Sequence, residues 1–348
     1  MKFSKLLLIA LSISLFVSCS SDDDDAPKGV YDNGFFILNE GSSDVGTVSF
    51  SSNDFSSFTK DAYTAANAGD LIGKYVQNIF FDGDRAYIIS GGSNVINVVN
   101  RYTFKLIAKI DSGLVNPRYG VTKDGKAYVT NANTYVQNNP ATGNTDDYIA
   151  VINLGTNVVE SKIQLNNTAN RIIEESGKLY ITEPYNSDKL LIYNIASKAL
   201  ETPVSIGYGS DCIEEESGTV FILKPSYTES SEIIKVKISD KSVSKVTIPA
   251  SLGTAGFLDI EDNKLYYTIN NDVYSISTSA ATAATTPLFT ASTNLGYLYG
   301  FAVKDDRVFM ADGGNFTLDS KAYIYNLSGT LQKELTVGVG PNGFYFND

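Results

Sequence analysis

The chain has 348 residues, 43% hydrophobic and 19% charged, enough for one large folded domain or two ordinary ones and too apolar for a disordered chain. It contains no His and only two Cys, which excludes a Ser-His-Asp or Cys-His catalytic site, an imidazole-ligated zinc and a disulfide scaffold. With 27 Lys and Arg against 39 Asp and Glu, the net charge of −12 opposes nucleic acid, whose binding is dominated by cationic contacts to phosphate.

Lys2 and Lys5 precede an apolar run from Leu6 to Val17, the basic and hydrophobic regions of a signal peptide assigned to residues 1–18. The run is too short to span a bilayer comfortably. It ends in Phe16-Val17-Ser18-Cys19, which resembles a bacterial lipobox and makes Cys19 the expected lipidated first residue of the mature chain. Phe16 stands where the strict pattern prefers Leu. Ser20-Ser21 and the run Asp22 to Asp25 follow, a solvated stretch that resembles the acidic export tag of surface lipoproteins in Bacteroidetes-type bacteria. Residues 19–33 are read as the lipidated Cys, tag and linker. Loss of Lys2 and Lys5 takes the net charge from −12 to −14. With Cys19 lipidated, Cys212 has no disulfide partner and reads as a small core residue.

From Gly34 onward, runs rich in Val, Ile, Tyr, Phe and Thr alternate with Gly, Asn and Asp turns, and no helical period is evident. One phrase recurs: an acidic or Gly turn, then a small or aliphatic residue, an aromatic and an apolar residue. Examples are Asp124-Gly125-Lys126-Ala127-Tyr128-Val129 and Ser176-Gly177-Lys178-Leu179-Tyr180-Ile181. The aromatics are Phe36, Tyr87, Tyr128, Tyr180, Phe221, Tyr266 and Phe309, at intervals of 51, 41, 52, 41, 45 and 43 residues. That is the period of a four-stranded propeller blade. Third strands are predicted at Val95–Val99, Tyr148–Ile152 and Leu190–Tyr193, and fourth strands at Leu106–Ile110 and Val243–Ile248. The first copy lacks its inner strand, while the tail Gly340 to Asp348 resembles the inner strands at Gln77 to Asp82 and Gly256 to Asp259. Residues 34–348 are therefore read as an all-β, seven-bladed β-propeller closed by its C-terminal strand, against the alternatives of a β-sandwich or two β domains. Closure removes open edges, so a monomer is expected.

In a propeller, the loops from strand two to strand three and from strand four to the next strand one share a face. The strand two–three loops are long at 131–147, 224–232 and 311–321, and loops of such length tend to be functional. The candidate ligand-binding residues on this face are Asn78, Arg118, Tyr119, Asn133, Tyr135, Arg171, Tyr185, Tyr208, Tyr227, Tyr297, Tyr299 and Asn315. Tyr offers a rigid aromatic face with a polar tip and Asn both donors and acceptors, which suits a large, uncharged, amide-bearing or sugar-like ligand. Asn and Tyr also serve turns and packing, and Arg118 and Arg171 are equally readable as ligand contacts or as partners of inward carbonyls. The recurring blade aromatics themselves read as core.

With Cys19, its acidic tag, the Gly-Lys-Leu-Tyr-Ile phrase and Tyr128-Val129-Thr130-Asn131, which nearly matches the YVTN tetrapeptide, the mature chain resembles YncE- and YVTN-like propeller lipoproteins of Bacteroidetes. The tetrapeptide occurs once here, whereas the family proper repeats it. The chain is also similar in export signal, length and blade number to the BtuG-type cobalamin-binding lipoproteins, which act beside a TonB-dependent transporter. The resemblance implies an outer-membrane lipoprotein facing the cell exterior that captures a nutrient, with cobalamin as the leading ligand and a TonB-dependent transporter as partner. Glycan, peptide or protein adhesion is the alternative. A calcium-dependent lactonase-like hydrolase is third, with Glu40, Asp211 and Asp312 as scattered candidate ligands. No catalytic set, cofactor or metal is expected.

Overall fold

In the computed structural model, which describes residues 27–42, 45–133, 146–291 and 295–347, the repeats fold into seven antiparallel sheets arranged as a ring. Each unit begins from its turn chemistry. The pairs Asp124-Gly125, Ser176-Gly177, Ser217-Gly218, Asp262-Asn263 and Asp305-Asp306 all have both residues at positive φ. That is the backbone whose twist matches the two strands of a tight hairpin, and Gly, Asn and Asp reach it at least cost.

Blade 2 shows the pattern: Val76–Asp82 lies innermost, followed outward by Arg85–Ser90, Val95–Asn100 and Leu106–Ile110. The inner strands of blades 3 to 7 are Pro117–Lys123, Arg171–Glu175, Ile213–Glu216, Ala255–Glu261 and Leu298–Lys304. Blade 1 takes its inner strand from the other end of the chain. Pro341–Asn347 pairs antiparallel with Gly34–Asn39, from Gly34 opposite Asn347 to Asn39 opposite Pro341. The predicted closure is therefore present, as are the predicted fourth strands Leu106–Ile110 and Val243–Ile248.

The core is divided into seven clusters, one in each wedge between neighbouring blades. All seven recurring aromatics are buried in these wedges, the most exposed being Tyr128 at 5%. Blade packing also demands small residues. A Cβ on Gly120 would lie 2.4 Å from Cε1 of Phe80 in the neighbouring blade, and the Gly120 N–H donates to Asn78 Oδ1 at 3.2 Å.

The closing seam is both apolar and polar. Phe35, Phe309, Phe344 and Phe346 pack together, with Phe309 edge-on to Phe346 at 5.1 Å. The buried Asn347 carboxamide donates to the carbonyls of Tyr31 and Arg101 and accepts from Arg101 Nε. Tyr31, in the segment before the first strand, is itself buried against Phe36, Phe50 and Phe104.

Two features depart from the regular pattern. The outer strand of blade 1 is only Phe58–Thr59, and a five-residue helix, Ala62–Ala66, follows with Asp61 as its N-cap. The helix places Tyr63, fully buried, in the wedge between blades 1 and 2. Five residues are too few to show a helical period in sequence. In blade 4 the outer strand is split into Ala199–Leu200 and Val204–Ser205.

Candidate functional site

The loop face is assembled by short polar side chains that bind backbone. The position three residues beyond the blade aromatic ends the second strand, or in blade 4 directly follows it, and in several blades it fixes the connection arriving from the previous blade. Asn131 Oδ1 accepts from Val115 N at 2.9 Å, and Ser90 Oγ donates to the Ile72 carbonyl at 2.7 Å. The Glu183 carboxylate accepts from Tyr185 N, Asn186 N and the Thr168 hydroxyl. Asp312 accepts from Gly296, Tyr297 and Gly314 N–H groups. Thr130, next to Asn131 in the YVTN-like phrase, donates its hydroxyl to the Asn170 carbonyl of the following blade at 2.6 Å. Buried Asp147 accepts from Asn133 N at 2.9 Å and Ala169 N at 2.8 Å. Burial pushes its carboxyl up to about 7, against the pull of those two donors.

Two of the predicted residues are turn residues. Asn133 is a turn residue, with its carboxamide on Asp146 Oδ2 at 2.8 Å. Asn315 is another, since its Oδ1 accepts from Thr317 N and Leu318 N at 3.0 and 3.1 Å. Tyr135 and Cys19 lie outside the described residues. Cys212 is buried in the wedge between blades 5 and 6, and burial pushes its thiol up to about 11, as befits a core residue.

Asn78, Tyr119 and Arg171 line an axial cavity of about 420 Å³ to which the inner strand of every blade contributes. Asn78 donates to the Tyr345 hydroxyl at 3.2 Å, and Gln77 donates to the Tyr119 hydroxyl at 2.9 Å. A polar chain runs around the mouth. Arg118 Nε donates to Asn170 Oδ1 at 3.2 Å, Asn170 Nδ2 donates to Asp211 Oδ1 at 3.1 Å, and Arg171 Nε reaches the same oxygen at 3.1 Å. The Arg171 guanidinium also sits 4.8 Å from the Tyr119 ring centre. On the far side, Tyr299 donates its hydroxyl to Glu40, whose charge is attracted to Arg118. Burial raises the Glu40 carboxyl above its usual range, and the Tyr299 hydroxyl draws it back.

The two arginines thus differ. Both bond through Nε, but Arg171 pairs with the Asp211 carboxylate and lies over the Tyr119 ring, whereas Arg118 bonds the neutral Asn170 carboxamide. Deeper in the cavity, Glu214 and Asp259 are both raised above the ordinary carboxylate range, by burial first and, for Glu214, by the Asp259 charge. Sequence reasoning passed over these two acids and Tyr345. The available signal was an acidic residue inside an otherwise apolar inner strand, as in Leu258-Asp259-Ile260.

The tyrosines give the face its character. Among the described residues the exposed tyrosines are Tyr75, Tyr185, Tyr208, Tyr227 and Tyr297, from 42% for Tyr75 to 92% for Tyr227. All five sit on strand two–three loops or inter-blade connections, hence on one face. Tyr299 belongs to their support. Its ring is edge-on to Phe316 at 4.9 Å, and Tyr297 leans on both rings at 5.9 Å. Glu40, Asp211 and Asp312 have separate partners. No group of three or more His, Cys, Asp or Glu among the described residues is placed to hold a metal.

Residues 33–301 match the family described as a domain of unknown function, DUF5074, and the chain belongs to that family. No curated protein matches it by sequence. Among solved structures, a quinoprotein alcohol dehydrogenase-like protein from Bacteroides thetaiotaomicron superposes with a TM-score of 0.65 at 18% identity, covering 91% of this chain and 79% of that one. A hydrazine synthase from Kuenenia stuttgartiensis gives 0.60 at 14% identity, over 79% of this chain and 91% of that one. Apo AztD from Citrobacter koseri gives 0.53 at 10% identity, over 89% and 96%. At these identities the likeness is one of fold.

Proposed function

We propose that this DUF5074 member is a lipid-anchored outer-membrane protein that captures a nutrient on its tyrosine-bearing face and passes it to a TonB-dependent transporter. The ligand we propose is a corrinoid such as cobalamin. One observation carries the reading: every exposed tyrosine of the described residues shares one face, the face at which Arg118, near the start of an inner strand, has its Nε bonded to a neutral carboxamide and not to a carboxylate. Exposed aromatic rings on a rigid scaffold serve capture, because little conformational freedom is lost on binding. A corrinoid presents a broad ring edge, peripheral amides and a phosphodiester, which match tyrosine faces, asparagine side chains and an arginine. The chain has no imidazole, so recognition would leave cobalt coordination untouched.

Titration of residues 26–348 with cyanocobalamin, followed by calorimetry and by the corrinoid absorbance, tests this. Saturation at 1:1 with sub-micromolar affinity, weakened in Arg118→Ala and Tyr208→Ala, is the expected result. No heat and no spectral change at high concentration removes the corrinoid. The anchor is tested separately by palmitate labelling of the full chain, which Cys19→Ala should abolish. Adhesion to a glycan, peptide or protein is the second reading of the same face.

A further inference from the structure

A second cavity opens on the tyrosine-bearing face, away from the axis. It is a cleft of about 410 Å³ spanning blades 5, 6 and 7. Its flanks carry the two most solvent-facing rings beside it, Tyr227 at 92% and Tyr297 at 56%. Asn270 and Asn271, from the turn between the second and third strands of blade 6, lie between them with Thr254. None of the described lining residues is charged, although the chain as a whole carries a net −12. Phe257 lines both this cleft and the axial cavity.

The cleft is held open by its surroundings. The Tyr297 N–H donates to Asp312 Oδ1 at 3.0 Å, and its ring rests on Tyr299 and Phe316. On the other flank, the Thr254 hydroxyl donates to the Ser226 carbonyl at 2.8 Å, which ties the loop of Tyr227 to the next connection. Ser231 Oγ accepts from Ser226 N at 3.1 Å and from Ala255 N at 3.2 Å, joining the same two segments again.

We propose that this cleft is a binding subsite for an uncharged sugar ring within an oligosaccharide. Aromatic faces at the rim suit the C–H faces of a pyranose, and the Asn270 carboxamide and Thr254 hydroxyl between them suit its paired hydroxyl groups. An uronic acid, a sulfated sugar or a charged peptide would bring a charge to a lining with none to meet it. A wholly apolar ligand would cover the Asn270 carboxamide without pairing it. The volume falls within the range of small-ligand sites. The proposal uses the rim of blades 5 to 7 and does not rest on the corrinoid reading, which uses Arg118 and the axial mouth.

The test is a calorimetric titration of residues 26–348 with cellohexaose, xylohexaose, maltohexaose, mannohexaose and N-acetyllactosamine, with oligogalacturonate as the charged control. With no Trp in the chain, tyrosine emission supplies a second readout. At least one neutral saccharide should bind and oligogalacturonate should not. Tyr227→Ala and Tyr297→Ala should each weaken that binding by about tenfold or more, the scale of an aromatic hot spot, while Val158→Ala, on the exposed outer strand of blade 3, leaves it unchanged. Unaltered melting temperatures would show that both variants fold. Absence of binding by every neutral saccharide at millimolar concentration overturns the proposal, as does binding that both tyrosine variants retain. Cyanocobalamin binding without saccharide binding overturns this proposal and leaves the corrinoid reading standing. Saccharide binding without cyanocobalamin binding does the reverse.

Discussion

Asn347 joins three pieces of chain that lie far apart in sequence, so its removal should weaken ring closure more than a single polar side chain ordinarily would. The carboxamide is fully buried. It donates to the Tyr31 and Arg101 carbonyls and accepts from the Arg101 guanidinium. A net hydrogen bond contributes about 0.5–1.5 kcal/mol and one to a charged group about 1.5–3. Asn347→Ala removes all three and leaves two carbonyls without this donor, for a loss of about 3 kcal/mol once non-additivity is allowed for. A domain of this length has an unfolding entropy of roughly 0.7 kcal/mol per kelvin, so the melting temperature should fall by about 4–5 °C. Differential scanning calorimetry of residues 26–348 measures this directly. Asn347→Asp is the informative companion. It keeps an acceptor for Arg101 but turns an oxygen toward two carbonyl oxygens, and should be no more stable than Asn347→Ala. An alanine variant melting within 1 °C of the parent, or an aspartate variant as stable as the parent, would refute the bridging role.

Phe36→Ala removes a fully buried ring that lies 4.7 Å from Phe104 and 5.3 Å from Phe50, and should cost about 3–5 kcal/mol in urea unfolding. A loss below about 1 kcal/mol would mean that the wedge repacks freely. The Glu214 and Asp259 carboxyls are raised above their unfolded values, so the native state holds protons that the unfolded chain releases. Their contribution to stability is therefore greatest below about pH 4 and is lost as pH climbs through the folded-state values. Glu214→Gln should flatten the urea midpoint against pH above that point; parallel profiles for variant and parent would contradict the assignment. With its thiol pushed up to about 11 and buried, Cys212 should resist a disulfide reagent at pH 8 in the native protein and react in 6 M urea. Rapid native labelling would show that the axial cavity, whose lining includes Cys212, admits the reagent and that the thiol is not shielded.

The architecture was legible because a propeller is a periodic object. Seven aromatics at blade spacing, turns able to adopt positive φ, and a terminal strand that resembles the inner-strand phrase specify blade number and closure without any long-range information. The same local chemistry made the blade aromatics readable as core, and all seven are buried. The helix Ala62–Ala66 and the split outer strand of blade 4 were not readable, because elements of two to five residues carry too little pattern.

The loop face was legible only as an inventory of residues. Sequence placed Asn133 and Asn315 beside the tyrosines as equals, yet both hold turn positions. Nothing local separates them, since the same carboxamide or carboxylate serves a turn or a ligand according to which N–H groups the neighbouring blade presents. Arg118 and Arg171 occupy similar places in successive blades, and only the position of Asp211, in a third blade, decides that Arg171 is paired. The uncharged cleft beside Tyr227 and Tyr297 is likewise a product of three blades meeting. Periodicity is a property of the chain and was determined by the sequence alone; the partners of each side chain are a property of the ring, decided when distant segments meet across its wedges.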